Sequence, residues 1–346
     1  MKNRGYKMSL DQILTNAFYQ EASDVHLTVG EVPVFRINGD LIKQGNEPLS
    51  PQDTESMAKQ IIGEEKWTTF QEKRDIDISY SIPSVSRFRV NVFYQRNSIA
   101  LAIRIIATRI PSLTELGMPK LLEKLAMKEK GLILITGLTG SGKSTTLAAM
   151  IDYINETASK HIITLEDPIE YLYKHKNSII VQRELDLDVT TFAKGLRASL
   201  RQDPDIIMVG EMRDLETIST AITAAETGHL VLATLHTTNA AMTIDRIIDV
   251  FPAEQKSQIR IQLAGVLEAV ISQRLFPRID EPGRVAATEI LINTPAIQNL
   301  IRNEKMHQIP NVIQTSKEEQ MHLMRTDVER LVRANMISPK SLEMLE

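Results

Sequence analysis

The stretch GLILITGLTGSGKSTTLAAMIDYI, residues 131–154, decides the fold of this chain. A short apolar run, GLILIT, is followed by a glycine-rich turn and then by a segment with apolar residues at helical spacing. The turn, from Gly137 to Ser144, fits the pattern G-x-x-x-x-G-K-[ST]. The pattern predicts a buried strand, a phosphate-binding loop and a helix whose N-terminus faces an anion.

Each residue type in this loop has a chemical task. Glycines let backbone N–H groups turn inward around phosphate oxygens, Lys143 brings a mobile positive charge to the β- and γ-phosphates, and Ser144 offers a hydroxyl to Mg²⁺. A chance glycine-rich turn would lack the strand before it and the helix after it. The predicted phosphate-binding residues are Gly137, Thr139, Gly140, Ser141, Gly142, Lys143, Ser144 and Thr145.

Three more apolar runs lie downstream of the loop. They are HIITLED, PDIIMVG and HLVLATLHT, and amphipathic helices separate them. Apolar strands without alternation are typical of a parallel sheet that is covered on both faces. Ligands of such sheets bind at the carboxyl ends of the strands. We therefore expect an α/β fold with its site at that edge.

Acidic and histidine side chains flank these runs. Glu211 follows a strand in which Gly210 replaces the usual aspartate of a Walker B segment, so Glu211 is the expected acid that orients or deprotonates the attacking water. Simpler interpretations are acids in a solvated loop, an acid that satisfies a helix dipole, and structural histidines. The candidates at the other two strands are Glu166, Asp167, Glu170, His229 and His236.

The N-terminal part of the chain has a different pattern. Residues 9–110 alternate short helical segments with strands of period two, which predicts a small α+β domain with an antiparallel sheet. We expect this domain over residues 1–107, a linker with two prolines over 108–120, and the α/β domain over 121–346.

Arginines are concentrated at the end of the N-terminal domain. The stretch 87–109 contains five arginines and no lysine, aspartate or glutamate. Arg87 and Arg89 project from one face of a strand, and Arg104 faces away from its isoleucine neighbours. The guanidinium fork suits bidentate phosphate contacts, so these residues are either arginine fingers for a nucleotide or a solvated sheet face.

Composition excludes several classes of protein. The net charge is −4 and aromatic residues are 5%, which argues against a protein that coats nucleic acid. The chain contains no cysteine, which excludes a disulfide framework and a thiolate zinc site. Its apolar runs fall short of the roughly 18 residues that a membrane span needs.

Several of these segments resemble the secretion-superfamily ATPases. GLTGSGKSTT resembles their Walker A motif, ITLEDPIEY the Asp box, LRASLRQDPDIIMVGEMRDLETI the Walker B motif, and TAAETGHLVLATLHT the His box. ASDVHLTVG, RFRVNVFYQR and TPAIQNLIRNEK further resemble the branch that retracts type IV pili. The resemblance covers nearly the whole chain.

The resemblance implies an α/β fold with a PAS-like N-terminal domain and a RecA-like P-loop domain that ends in a helical retraction segment. It implies a homohexamer that hydrolyses ATP with Mg²⁺, held by Ser144, to power pilus retraction and twitching motility. The implied partner is the inner-membrane platform protein of the pilus, and no nucleic acid is expected to bind. The implied location is the cytoplasmic face of the inner membrane, with no segment of the chain spanning it.

The resemblance also implies roles for individual residues. Glu211 is the catalytic glutamate of the motif, Glu166 the Asp-box acid, and His229 and His236 are the His-box residues. Arg89 and Arg104 match the N-domain arginines that approach the γ-phosphate, with a neighbouring subunit also contributing to the site.

Three positions depart from the family pattern. Leu138 stands where the Walker A motif usually has proline. In the retraction helix, Gln298 replaces an arginine and Asn303 replaces a glutamate. That helix is tied to retraction rather than to hydrolysis, so we expect ATP hydrolysis to persist. Its apolar stripe of Ile297, Leu300 and Ile301 is intact, and changes at polar positions outside such a stripe cost little stability, so we expect retraction to persist as well.

Other functions remain open at this point. A nucleic-acid motor on the same fold would use basic loops with aromatics, and an inactive interaction subunit would need no catalytic acid. Within the family, the alternatives are an accessory retraction ATPase, a competence ATPase and a type II secretion ATPase.

Overall fold

The boundary between two structural units falls after Arg109 in the computed structural model, which describes residues 8–345. The second unit begins at Ile110, and Glu170–Leu172 group with the first unit. Residues 1–7 of the predicted N-terminal domain, and residue 346, lie outside the described residues.

The first unit is an antiparallel sheet with two helices. Its strands are arranged in the order β3-β2-β1-β6-β5-β4. The elements are α1 (Leu10–Tyr19), β1 (Asp24–Leu27), β2 (Val34–Ile37), β3 (Asp40–Lys43), α2 (Pro51–Lys73), β4 (Asp75–Ile82), β5 (Ser86–Gln95) and β6 (Ser98–Ile105).

Local sequence signals set the limits of these elements. Ser9 and Ser50 each form a capping box at the start of a helix. The serine hydroxyl accepts a hydrogen bond from the backbone N–H three residues later, and the side chain of that later residue accepts one from the serine N–H. Asn38 and Gly39 both have positive φ in the two-residue turn between β2 and β3, as a tight hairpin requires. Gly63, at φ +73°, interrupts α2.

The core of the first unit follows the alternation of its strands. Phe88, Val90 and Val92 of β5 are fully buried, whereas Arg89 between them is exposed. Phe35 and Phe70, like Phe88, are among the largest fully buried side chains of this core. Burial of one face and exposure of the other leaves the arginines of β5 and β6 on an accessible surface.

The second unit contains a seven-stranded sheet in the order β13-β12-β7-β11-β10-β8-β9. All neighbours in this sheet are parallel except β12 and β13. The strands are β7 (Gly131–Thr136), β8 (His161–Glu166), β9 (Ile179–Glu184), β10 (Ile206–Val209), β11 (Leu230–Leu235), β12 (Leu267–Pro277) and β13 (Arg284–Ile292).

Helices cover both faces of this sheet. They are α3 (Leu121–Ala126), α4 (Lys143–Thr157), α5 (Phe192–Ser199), α6 (Leu215–Glu226), α7 (Ala240–Asp249), α8 (Lys256–Val266), α9 (Pro295–Arg302), α10 (Ile309–Thr315) and α11 (Met324–Arg333), with 3₁₀ turns at Met306–Gln308 and Pro339–Leu345. Within residues 8–345, every helix is too short or too polar to cross a bilayer.

The sequence patterns identified four of the seven strands, β7, β8, β10 and β11, and all four are parallel. They missed β9, β12 and β13. Strand β9 lies at an edge with Ile179 and Val181 exposed, and β12 carries Ser272, Gln273 and Arg274 in the middle of its apolar run. Neither segment therefore has the uninterrupted apolar character of a central strand.

The segment 108–120 contributes to the core of the second unit. Leu113 and Met118 are buried there, in the cluster that packs α3 and α4 against the sheet. The predicted linker thus supplies core side chains from Ile110 onward.

Candidate active site

Four predicted motifs meet at one edge of the seven-stranded sheet. The phosphate loop follows β7, His236 follows β11, Glu211 comes two residues after β10, and Glu166 ends β8. These strands are adjacent and parallel, so their carboxyl ends share that edge. Two strand spacings, roughly 10 Å, separate β7 from β10. The phosphate loop and Glu211 therefore lie on either side of the end of β11.

The phosphate loop adopts a conformation that only glycines accept readily. Gly137, Gly140 and Gly142 have φ of +146°, +78° and +87°. The Nζ of Lys143 donates to the carbonyl oxygens of Gly137 at 2.7 Å and Leu138 at 3.0 Å. The ammonium is therefore held against the loop, and Leu138, 60% exposed, has no core to fill.

Gln273 on β12 holds the loop from beneath. Its Nε2 donates to the carbonyl oxygen of Ser141 at 2.8 Å, and its Oε1 accepts from the hydroxyl of Thr146 at 2.8 Å. Gln273 is buried, so both bonds form away from water. One side chain thus joins the loop to the first turns of α4.

The carboxylate of Glu211 lies between the side chains of Arg213 and His236. One carboxylate oxygen is 2.5 Å from the Nε of Arg213, and the other is 3.2 Å from the Nε2 of His236. Partial burial raises the pKa of Glu211, but the hydrogen bond from Arg213 and the influence of His236 outweigh burial and lower that pKa overall. The carboxylate is therefore ionised near neutral pH, which is the form that a general base requires.

Close packing explains the glycine before this acid. A Cβ atom on Gly210 would lie 3.0 Å from the carbonyl oxygen of Leu165, and the Gly210 N–H donates to that same oxygen at 2.7 Å. A side chain at this position would push β10 away from β8.

Glu166 is buried at the end of β8. Its Oε1 accepts from the hydroxyl of Thr164 at 2.6 Å and from the amide of Gln182 at 3.1 Å. Asp167 follows it at the same edge, whereas Glu170 belongs to the first unit. The structure thus divides the three acids of this segment between the two units.

The structure separates the two His-box residues. His229 precedes β11, and its Nδ1 lies 3.0 Å from the carbonyl oxygen of Ala224 and 3.3 Å from the hydroxyl of Thr227. It therefore sits at the end of α6, about 20 Å along the strand from His236. Within one chain, His229 is at the opposite edge of the sheet from Glu211, and the roles of both histidines stay predictions.

Arg89 and Arg104 face each other directly across β5 and β6 of the first unit. Arg104 also pairs with Asp24 at 3.0 Å, and Arg36 lies across from Asp24 on the next strand. Like charges directly opposite each other destabilise a sheet. This row of three guanidinium groups and one carboxylate is therefore a surface that an anion would stabilise.

A cleft of about 500 Å³ opens beside the start of α4. Its lining includes Gly142, Thr145 and Thr146 from the loop and helix, and Leu275 from β12. Its volume is in the range of nucleotide and cofactor sites. The cleft therefore adjoins the phosphate loop with room for the rest of a nucleotide.

Sequence reasoning missed Gln273 and Arg213 as site residues. Arg213 lies within the segment that resembles a Walker B motif, and Gln273 lies in the sequence VISQRL, but the sequence alone assigned a partner to neither. A polar amide inside an apolar strand is the signal that could have identified Gln273, because buried amides need hydrogen-bond partners.

The parallel sheet, the phosphate loop and the acid at the next strand ends define a P-loop nucleoside triphosphatase. The family described as Type II/IV secretion system protein matches residues 4–282, and the chain belongs to that family.

Two individual members of the family are similar to this chain over most of its length. The chain is 46% identical to the type IV pilus retraction ATPase PilT of Pseudomonas aeruginosa over 331 residues, 96% of each chain. It is 47% identical to a twitching motility protein of Neisseria gonorrhoeae over 309 residues, 89% of this chain and 83% of that protein.

A solved structure agrees with these relatives. The crystal structure of the pilus retraction motor PilT with bound ADP has a TM-score of 0.90 and 46% identity, covering 98% of this chain and 97% of that one. The comparisons confirm the predicted family, the two-part fold class and the ATPase class. The roles of the individual site residues stay predictions.

We expect Gly137→Ala to weaken nucleotide binding. A Cβ atom there would lie 2.4 Å from the carbonyl oxygen of Gln273 and 2.5 Å from the Oγ of Ser141, so the loop must shift. Titration with a fluorescent ADP analogue should show a dissociation constant at least about tenfold higher, about 1.4 kcal/mol. Gly228→Ala is the control, since Gly228 also has positive φ but no atom within 4 Å. Equal affinity in both variants would contradict the proposed loop geometry.

Proposed function

We propose that this chain is the ATPase motor that powers retraction of type IV pili. The observation that carries the proposal is the alignment of the phosphate loop, His236 and Glu211 at one sheet edge, in a fold that matches a pilus retraction motor at a TM-score of 0.90. The alignment supplies the chemistry of hydrolysis, and the match over nearly the whole chain supports the retraction branch.

ATP binding rests on the phosphate loop. Backbone N–H groups of the glycine-rich turn and the N-terminus of α4 attract the phosphates, and Lys143 adds a charge that moves from the carbonyls of Gly137 and Leu138 to phosphate oxygens. Gln273 keeps the loop in place while the lysine moves. The adjoining cleft receives the nucleoside.

The residues at this edge fit Mg²⁺. Residues 8–345 contain no cluster of three acidic or histidine side chains able to hold a metal, and Mg²⁺ in ATPases is held by few protein ligands together with phosphates and water. Ser144, in the first turn of α4, is the expected protein ligand. When bound, the ion neutralises charge on the phosphates.

Hydrolysis rests on Glu211. Its ionised carboxylate accepts a proton from the attacking water, while Arg213 and His236 fix its two oxygens. Arg213 and His236 also hold the pKa of Glu211 low against the effect of burial, so the base form is lost only as the pH falls through that lowered pKa. Glu166 adds a second buried acid on β8, one strand closer to β9 than Glu211.

Assembly into a homohexamer would bring in residues that one chain leaves apart. Arg89 and Arg104 carry an excess of positive charge on the first unit, which suits the γ-phosphate of a nucleotide in the ring. His229 lies far from Glu211 in its own chain, so any action on a nucleotide takes place across a subunit boundary.

The retraction helix α9 is built to dock within the second unit. Ile297, Leu300 and Ile301 form its buried stripe, while Gln298 is half-buried and Asn303 is exposed. The two departures from the family pattern therefore lie outside the stripe. We place the motor at the cytoplasmic face of the inner membrane, with the pilus platform protein as its partner.

Glu211→Gln should separate binding from hydrolysis. The amide cannot accept the water proton, so we expect steady-state ATP hydrolysis at least about 100-fold slower, with ADP affinity within about threefold of the unchanged protein. Phosphate release and fluorescent ADP titration measure the two quantities. Near-normal turnover would instead assign the base to Glu166.

Mixed rings test the arginines. Subunits with Arg104→Ala and subunits with Lys143→Ala should each be inactive alone, and rings shown to contain both should regain part of the ATPase rate. Some interfaces would then pair an intact arginine with an intact phosphate loop. Arg96→Ala, in the exposed turn between β5 and β6, is the matched control and should stay active alone. Mixed rings without any activity would point to a structural role for Arg104.

A deletion strain tests retraction itself. Cells without this protein should carry more surface pili and lose twitching motility. Complementation with Leu300→Asp should fail to restore twitching while ADP binding remains measurable, because the substitution places a charge in the buried stripe of α9. Ala296→Asp, at an exposed position of the same helix, should restore it. Loss of pili in the deletion strain would indicate assembly instead.

A further inference from the structure

Glu289 is a buried acid that the site described above does not use. It lies on β13 with 7% of its surface exposed. Burial without partners would cost a carboxylate several kcal/mol, so its contacts explain why it is tolerated. They come from the N-termini of two different helices.

The first contact is with α7. The backbone N–H of Ala240, the first residue of that helix, donates to Oε1 of Glu289 at 2.9 Å. The second is with α11, where the N–H of Met324 lies 3.5 Å from Oε2. Leu323, at the N-cap of α11, has no side-chain oxygen to offer. Glu289 thus places one negative charge at two positive helix ends.

The loop before α7 runs directly to the hydrolytic site. It begins at His236, at the end of β11, and reaches the helix through the N-cap Asn239. Thr237 and Thr243 share a hydrogen bond of 2.7 Å, and the hydroxyl of Thr243 also donates to the carbonyl oxygen of Asn239 at 2.7 Å. The loop and the first turn of α7 therefore form one hydrogen-bonded piece.

We propose that Glu289 is a positioning residue for ATP hydrolysis. By holding the N-terminus of α7 it fixes the loop that carries His236, and His236 in turn fixes one oxygen of Glu211. Through its contact with Met324 the same carboxylate joins this loop to α11. The inference rests on the proposed ATPase function.

Burial and hydrogen bonding shift the pKa of Glu289 in opposite directions. Burial raises its pKa, and the backbone N–H groups of Ala240 and Met324 lower it in part. The two hydrogen bonds thus favour the ionised form that both helix ends attract. Loss of the side chain would leave the first N–H of α7 without this acceptor.

The test uses steady-state ATPase kinetics on the assembled protein. Glu289→Ala removes the acceptor, and Glu289→Asp withdraws it by one methylene. Both should lower kcat by about 10-fold or more with KM for ATP changed less than about threefold, because only the geometry of Glu211 is disturbed. Glu289→Gln keeps an oxygen for Ala240 and should stay within about threefold of the unchanged kcat.

A double-mutant cycle with His236→Ala shows whether the effect passes through His236. If it does, Glu289→Ala or Glu289→Asp should add less than about twofold to the loss already caused by His236→Ala. Asp327→Asn is the matched control. Asp327 is another buried acid; it lies on α11 and accepts from the N–H of Thr288 at 2.8 Å, so its loss should leave kcat within about twofold of the unchanged protein.

Three results would overturn the inference: unchanged kcat in folded Glu289→Ala or Glu289→Asp, multiplicative losses in the cycle, or a Glu289→Gln protein as slow as the alanine variant. Circular dichroism and ADP binding establish folding, and Glu289→Asp carries the test if the alanine variant does not fold. Absence of ATP hydrolysis by the unchanged protein would overturn the proposed function instead.

Discussion

The parallel register of β7, β11 and β10 is the constraint on which the rest of the second unit depends. Thr136 lies beside Leu235, and Ala233 lies beside Val209, so three strands end within a residue or two of one another. A loop follows each of the three strands at the same edge of the sheet. A shift of one residue in any pair would turn buried side chains toward the opposite face and move a loop along the edge. The hydrophobic faces of the sheet therefore determine the placement of the polar chemistry.

Two strands without catalytic motifs support that edge. Gln273 of β12 and Glu289 of β13 are buried polar side chains, and each forms a hydrogen bond with the backbone of a neighbouring loop or helix. A hydrogen bond between a buried side chain and a backbone group restricts the motion of both, because either group would lose its partner on moving. The antiparallel pair β12 and β13 thus contributes buried polar side chains at one edge of the sheet, next to β7. This arrangement accounts for the tight approach of the phosphate loop to β12.

The parts of the molecule that sequence predicted are those with local causes. The phosphate loop depends on eight consecutive residues, Gly137 to Ser144, and the apolar runs of β7, β8, β10 and β11 are likewise continuous in sequence. The alignment of Glu211 with the loop followed from a general property of parallel sheets. Gln273 and Glu289 could not be placed in this way, because their partners are 132 and 49 residues distant and no local pattern encodes such a pair. His229 was grouped with His236 by motif, but the length of β11 lies between them.

The segment Glu170–Leu172 makes the first unit discontinuous in sequence. It belongs to the first unit, where the N–H of Leu172 donates to the carbonyl oxygen of Ala107 at 3.1 Å and Tyr171 bridges to the same residue. The polypeptide consequently passes between the units three times, after Arg109, Ile169 and Leu172. A gene segment that ended after the codon for Arg109 would lack Tyr171 and Leu172, the two residues that bond to Ala107. A coding segment for the whole first unit therefore has to extend through the Asp-box region to Leu172.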